Sequence, residues 1–254
     1  MISKNKKKFL TSLQQKKYRK KHNAFIGEGH KINLDLLTGN VECAELYATE
    51  KWITDNKDVL PENVTVATLQ ELKSISNLKT PPSVIGVYRI NEHELIIQEL
   101  KQVLALVLDG VQDPGNMGTI LRIADWFGIK HVICSEDTAD VYNPKVVQAT
   151  MGAIARVKVN YVDLPVFIDE YKKDTGLPVY GTFLEGENIY GEKLSEKGMI
   201  VMGNEGKGIS MAIEKLITDK LFIPNYPPDA PTSESLNVAV ATAIVCSEFR
   251  RRMI

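Results

Sequence analysis

Long apolar runs are missing from this 254-residue sequence. No stretch approaches the roughly 20 apolar residues that a membrane span requires. No apolar run follows the N-terminal lysines, so a secretory signal is not expected. Cysteine is scarce: Cys43, Cys134 and Cys246 are odd in number and scattered, and no pair has ligand spacing. That argues against a disulfide framework and against a zinc or other metal site. Net charge is nearly absent, at −1, and names no partner. Two nucleotide signatures are also missing. Gly203 to Gly208 reads G-x-x-G-x-G, not the G-x-G-x-x-G of a dinucleotide fold. Gly206-Lys207 has no glycine five residues before Gly206, and Gly208 follows where a phosphate loop needs a hydroxyl. What is left is a globular chain of one large domain or two small ones, expected in the reducing cytoplasm.

The charge that is present is unevenly placed. Residues 1–21 carry Lys4, Lys6, Lys7, Lys8, Lys16, Lys17, Arg19, Lys20 and Lys21 and no acid. Such a basic arm suits nucleic acid, and Lys16, Lys17, Arg19, Lys20 and Lys21 are the candidate RNA contacts. A solvated helix face or a disordered tail would look the same. Leu10 to Leu13 and Tyr18 suggest that part of the arm is a helix with an apolar stripe.

Beyond the arm (1–22), strands expected at 25–28, 41–48, 64–67 and 84–90 alternate with helices at 31–37, 50–56 and 68–74. Thr68 is placed to cap the last of these helices. This is a small α/β domain, 23–92. A polar junction follows, 93–102. Residues 103–254 then alternate in the manner of a parallel α/β sheet. Strands are expected at 103–108, 130–135, 157–162, 178–183, 199–203 and 221–224. Helices are expected at 115–127, from Asn143-Pro144 to about 151, at 209–217 and at 235–251.

Three blocks in this second region carry chemistry. The first runs from Asp109 to Gly128 and reads DGVQDPGNMGTILRIADWFG. It leaves an apolar strand, turns, and enters a helix bearing Asn116 and Arg122. These two are six residues apart, about 600° of helical rotation at roughly 100° per residue, so they lie on different sides of the helix. The second block is Ile200 to Ile209, IVMGNEGKGI; the third joins Leu221 to Asn225, LFIPN, with Ser235 to Ala241, SLNVAVA. Each ends an apolar strand, and carboxyl ends of parallel strands are where open α/β sheets bind ligands.

Together, and in this order, the blocks closely resemble the three motifs of the SpoU/TrmH family of RNA ribose 2'-O-methyltransferases, in the SPOUT superfamily. The likeness covers about 103–252. More loosely, residues 16–37 resemble the L30e-like substrate-binding domain often found ahead of such catalytic domains. The resemblance implies S-adenosylmethionine as cofactor, held by Thr182, Gly203, Asn204, Gly206, Ile223, Pro224 and Leu236. Gly203 would let the backbone approach the ligand, with Ile223 and Leu236 as apolar walls; core packing is the plain alternative for those two. It implies Arg122, Asn116, Glu205, Ser235 and Asn237 as the catalytic set. Arg122 would draw off the ribose proton with help from a substrate phosphate, or act electrostatically, since a guanidinium stays protonated. Glu205 would pair with Arg122 or steer the cofactor's sulfonium. Asn116 and Ser235 also suit simple helix caps.

The resemblance further implies a deep trefoil knot around the last helix and a homodimer through that region, which completes the site from the partner chain. Asn225, Tyr226 and the proline-rich 227–234 depart from the family pattern beside the cofactor cleft. The expected activity is methylation of structured RNA, with ribosomal RNA favoured by the two-domain layout. A transfer-RNA enzyme and a catalytically silent RNA-binding protein of the same fold are the alternatives.

Overall fold

In the computed structural model the described residues are 2–39, 41–91, 93–227 and 235–251. In chain order the first part contains α1 (Lys4–Ser12), α2 (Lys16–His22), β1 (Ala24–Glu28), α3 (His30–Thr38), β2 (Cys43–Ala48), α4 (Glu50–Asp55), β3 (Val64–Val66), α5 (Leu69–Lys73) and β4 (Val84–Arg89). The second part contains α6 (Ile97–Leu100), β5 (Leu104–Leu108), α7 (Pro114–Trp126), β6 (His131–Cys134), α8 (Pro144–Thr150), β7 (Lys158–Tyr161), α9 (Leu164–Thr175), β8 (Val179–Asn188), β9 (Gly198–Met202), α10 (Met211–Glu214), β10 (Asp219–Phe222) and α11 (Val238–Arg251). The chain forms two compact units. One combines residues 1–92 with 140–156; the other combines 93–139 with 157–254.

The first unit is built on a four-stranded sheet ordered β1-β4-β2-β3. β1 and β2 run antiparallel to β4, and β3 runs parallel to β2. Both faces of β1 are covered, so alternate side chains enter different cores. Ala24 and Ile26 pack with Leu10, Leu13, Leu72 and Ile85. Phe25 packs with Ile32, Leu36, Tyr88 and Val147. Thr68 does cap α5, and Glu71 returns the bond to complete a capping box.

The lysine-rich start is therefore not a loose arm. Leu10 and Leu13 are fully buried. Arg19 is 2% exposed, and its guanidinium donates to the carbonyls of Leu13 and Gln14 at 3.0 and 2.8 Å and to Asp140 at 2.6 Å. Its place among the RNA contacts is thereby corrected, because a buried, paired arginine is not offered to a phosphate. Lys16, Lys17, Lys20 and Lys21 are exposed.

Residues 140–156 leave the second unit's sheet after β6 and return to it before β7, yet belong to the first unit. Val147 joins the Phe25 core, the Tyr142 ring lies 4.9 Å from that of Phe25, and Asp140 holds Arg19. No local pattern announces this, because an ordinary amphipathic helix serves equally on either body.

The second unit is a six-stranded sheet ordered β10-β8-β9-β5-β6-β7, every pairing parallel. This is the α/β architecture the sequence predicts, with differences of detail, two of them in the helices that follow β7 and β9. First, the stretch between the strands expected at 157–162 and 178–183 is a helix, α9. Asp163 caps it, Pro165 lies in its first turn, and Leu164, Phe167, Ile168 and Tyr171 are buried. Second, the helix expected over 209–217 is only α10. Its continuation tightens into bonds from Leu216 to Ile213 and Ile217 to Glu214, the three-residue spacing of a 3₁₀ turn. Most of the proline-rich segment 227–234 lies outside the described residues, and the knot expected around the last helix is not shown. No helix among the described residues is long and apolar enough to cross a membrane.

Candidate functional site

β5 and β9 are parallel neighbours, so their carboxyl ends emerge side by side. The turn after β5 ends at Asp113, which caps α7 by accepting the Asn116 amide at 2.8 Å. Pro114 follows in the first helical turn, where its missing N–H costs nothing. Met117, Ile120, Leu121 and Ala124 are buried, which seats the helix on the sheet. Because Asp113 is the cap, Asn116 is not. Its side chain is free for bonds to other segments.

The turn after β9 closes on itself. Asn204 and Gly208 exchange backbone hydrogen bonds, both 2.9 Å. A Cβ at Gly203 would stand 2.3 Å from the Gly208 carbonyl carbon and 2.4 Å from the Ile209 nitrogen. Glycine is thus demanded by the turn itself, whatever ligand approaches it. The Asn204 side chain is consumed in the same construction. It donates to the Gly110 carbonyl at 2.6 Å and accepts from the Gly206 and Lys207 amides at 3.0 and 3.1 Å. Asp109 accepts from the Ser210 amide at 2.7 Å. Asn204 and Asp109 together bolt the first block to the second.

Three of the expected site residues meet in one chain of hydrogen bonds. Asn237 donates its side-chain amide to Asn116 Oδ1 at 2.9 Å, and Asn116 Nδ2 donates to Glu205 Oε1 at 3.0 Å. Glu205 also accepts from the backbone amides of Gln112 and Asp113 at 3.3 and 3.2 Å. Burial pushes the Glu205 carboxyl up. The Asn116 side chain and the amides of Glu205, Asp113 and Gln112 together outweigh that and hold it below its ordinary value. Glu205 is therefore anionic at neutral pH and turned toward Asn116. Its expected pairing with Arg122 does not form.

Asn237 is also the cap of α11. Its Oδ1 accepts from the Ala239 and Val240 amides at 3.0 and 3.3 Å. The cap expected at Ser235 is thus moved two residues on, and Ser235 is exposed ahead of the helix. The polar group expected to need a partner inside this helix has one, in Asn116.

Arg122 lies outside this relay. It is exposed on α7, and no hydrogen bond or ion pair engages it among the described residues. Ile223 and Pro224 follow β10 and are half-buried, as is Thr182, whose hydroxyl donates to the Val201 carbonyl at 3.4 Å. Leu236 is 47% exposed, so core packing does not explain it. Gly206 sits exposed in the turn. The lysines of α2 belong to the first unit. No cluster of metal-ligand type is found among the described residues. Asp109, Asp113 and Gln112, which hold the loops in place, were not singled out in the sequence; Asp-Pro ahead of an apolar helix was the available signal for the cap.

Comparisons with known proteins show the family and the fold. The SpoU rRNA Methylase family matches residues 103–247, and the MRM3-like substrate binding domain matches 4–86. A 23S rRNA (guanosine(2553)-2'-O)-methyltransferase of Bacillus subtilis, RlmP, is 32% identical over 241 residues, covering 94% of this chain and 93% of its own. A solved TrmH-family protein of Porphyromonas gingivalis superposes with TM-score 0.89 at 43% identity, over 99% of both chains. An rRNA methyltransferase of Sinorhizobium meliloti, solved with AdoMet bound, superposes with TM-score 0.85 at 26% identity, over 100% of this chain and 98% of its own.

Proposed function

The chain belongs to the SpoU rRNA methylase family, and on that premise we propose that it transfers the methyl group of S-adenosylmethionine to a ribose 2'-hydroxyl of ribosomal RNA. The observation that carries this reading is the joining of three separate motifs by the Asn237–Asn116–Glu205 relay at the carboxyl ends of the sheet. Core packing has no need to hold the half-buried Asn116 in series with the exposed Asn237 and Glu205.

The residues fit the cofactor. Half-buried Ile223 and Pro224 and the exposed Leu236 offer apolar surface beyond the ends of β9 and β10. Thr182 adds a hydroxyl. The anionic Glu205 favours a sulfonium nearby, and Asn204 acts by shaping the turn. When bound, S-adenosylmethionine supplies an electrophilic methyl on sulfur. Asn116 and Asn237 hold their amides in fixed orientation, each locked by the next group in the relay. The Arg122 guanidinium grips a phosphate beside the target ribose and stabilises the alkoxide as the hydroxyl proton leaves to that phosphate or to water. Ser235, exposed ahead of α11, adds a hydrogen bond to the substrate.

A homodimer completes the site. Trp126, Leu236 and Val240 are 84%, 47% and 50% exposed, apolar area on and beside α7 and α11 that a second copy would cover. Arg122, without a partner among the described residues, then serves the partner's relay. Lys16, Lys17, Lys20 and Lys21 bind RNA phosphates, which makes binding salt-dependent.

The test is transfer of labelled methyl from S-adenosylmethionine to unmodified ribosomal and transfer RNA, followed by alkaline hydrolysis. Label retained in an alkali-resistant dinucleotide from ribosomal RNA alone is the expected result. Label on a base, or on transfer RNA only, contradicts the substrate assignment.

A further inference from the structure

Tyr226 is 92% exposed and takes no part in the proposed chemistry. It stands two residues beyond Pro224, off the carboxyl end of β10. In the sheet only β8 separates β10 from β9, so the carboxyl ends of both strands open on the same edge of one parallel sheet. Tyr226 and the Glu205 turn therefore both follow carboxyl ends of strands in the same parallel sheet. No hydrogen bond or ring contact engages the Tyr226 side chain among the described residues. Its backbone is restrained: Pro224 and Pro227 flank it, and the Asn225 side-chain amide reaches across it to the Pro227 carbonyl at 3.4 Å. An aromatic ring on a stiffened turn loses less freedom when it binds than one on a slack loop.

We propose that Tyr226 is a stacking platform for an unpaired base of the RNA substrate flanking the methylated nucleotide, which makes it a specificity-determining residue. The proposal rests on the RNA-methylating function above. Both faces of the ring are open, and a planar apolar surface with no committed polar partner suits a nucleobase of any identity. At 92% exposure the ring is not part of the half-buried wall that Ile223 and Pro224 form, which favours the RNA over the cofactor as its ligand. Sequence preference would then come from how readily the flanking base leaves its own stack.

The experiment measures binding directly, by titrating the full-length protein with ribosomal RNA from cells lacking its gene. Wild type is compared with Tyr226→Ala, Tyr226→Phe and Tyr226→Trp, and S-adenosylmethionine affinity is measured in parallel. Loss of one stacked base weakens RNA binding by about tenfold or more in Tyr226→Ala. Phe and Trp should stay within about twofold of wild type, with cofactor affinity unchanged in all four. Equal RNA affinity of wild type and Tyr226→Ala overturns the proposal. So does an equal loss in the Phe variant, or a matching loss of cofactor affinity. If wild type transfers no methyl group, the functional reading fails, while the binding comparison still decides the role of Tyr226.

Discussion

Arg19 and Arg122 carry the same side chain to opposite ends, one in each unit of the molecule. Arg19 is buried, bonded to two carbonyls and paired with Asp140. Arg122 is exposed on α7 and engages nothing among the described residues. The first unit spends its striking polar groups on itself. Asn33, for example, is fully buried, donates to the Gly27 and Gly29 carbonyls at 3.0 and 2.7 Å, and accepts from the Tyr88 hydroxyl at 2.8 Å. The second unit leaves its polar groups at the open ends of strands, joined to one another but still accessible. A functional polar residue is therefore recognised here by what it has left to offer.

The largest effect that would break this contrast is on stability. Arg19→Ala strands the Asp140 carboxylate in a site where its side chain is 17% exposed. Unfolding free energy should fall by about 3–5 kcal/mol, measured by denaturant titration. A loss below about 1 kcal/mol would mean that Arg19 is not structural. Asn116→Ala should do the reverse. It removes the middle of the relay, so methyl transfer should slow by about 100-fold, while stability falls by no more than about 2 kcal/mol. A variant that unfolds instead would place Asn116 with the structural residues.

Smaller still is the effect of replacing Lys16, Lys17, Lys20 and Lys21 together by Gln. RNA affinity should drop and lose part of its salt dependence, by up to about 0.9 in logarithmic slope for each phosphate contact. Thermal stability should be unchanged. An unaltered slope would remove α2 from the RNA surface. The smallest expected effect concerns Glu205. Its carboxyl is held below the ordinary value of 4.5, so its stabilising contribution is complete above that value and is lost as pH falls through the lower folded-state value. Glu205→Gln should therefore melt below wild type at neutral pH, with the gap closing in stronger acid. A gap that widens on acidification would reverse the sign.

Much of this was legible in the sequence. β5, the Asp113-Pro114 start of α7 and the ends of β9 and β10 follow from apolar runs broken by turn residues. The motif context picked out Asn116, Glu205 and Asn237, which the fold then joins. Arg19 was misplaced because a run of basic residues hides which one turns inward; only the position of Asp140, 121 residues away, decides it. The allegiance of residues 140–156 was hidden for the same reason. The caps at Asp113 and Asn237 compete with Asn116 and Ser235, which are equally good cap residues, and tertiary bonds select between them. Gly203 is expected from the sequence to let the backbone approach a ligand; the structure gives a separate reason for glycine there. Its own turn, folding back through Gly208, already requires it.

The central claim is that this relay and Arg122 form a methyl-transfer site. The most direct measurement is single-turnover transfer from S-adenosylmethionine to unmodified ribosomal RNA by wild type and Arg122→Ala. The account predicts that Arg122→Ala binds cofactor and melts like wild type while its rate falls by about 100-fold or more. Equal rates for the two proteins would contradict it.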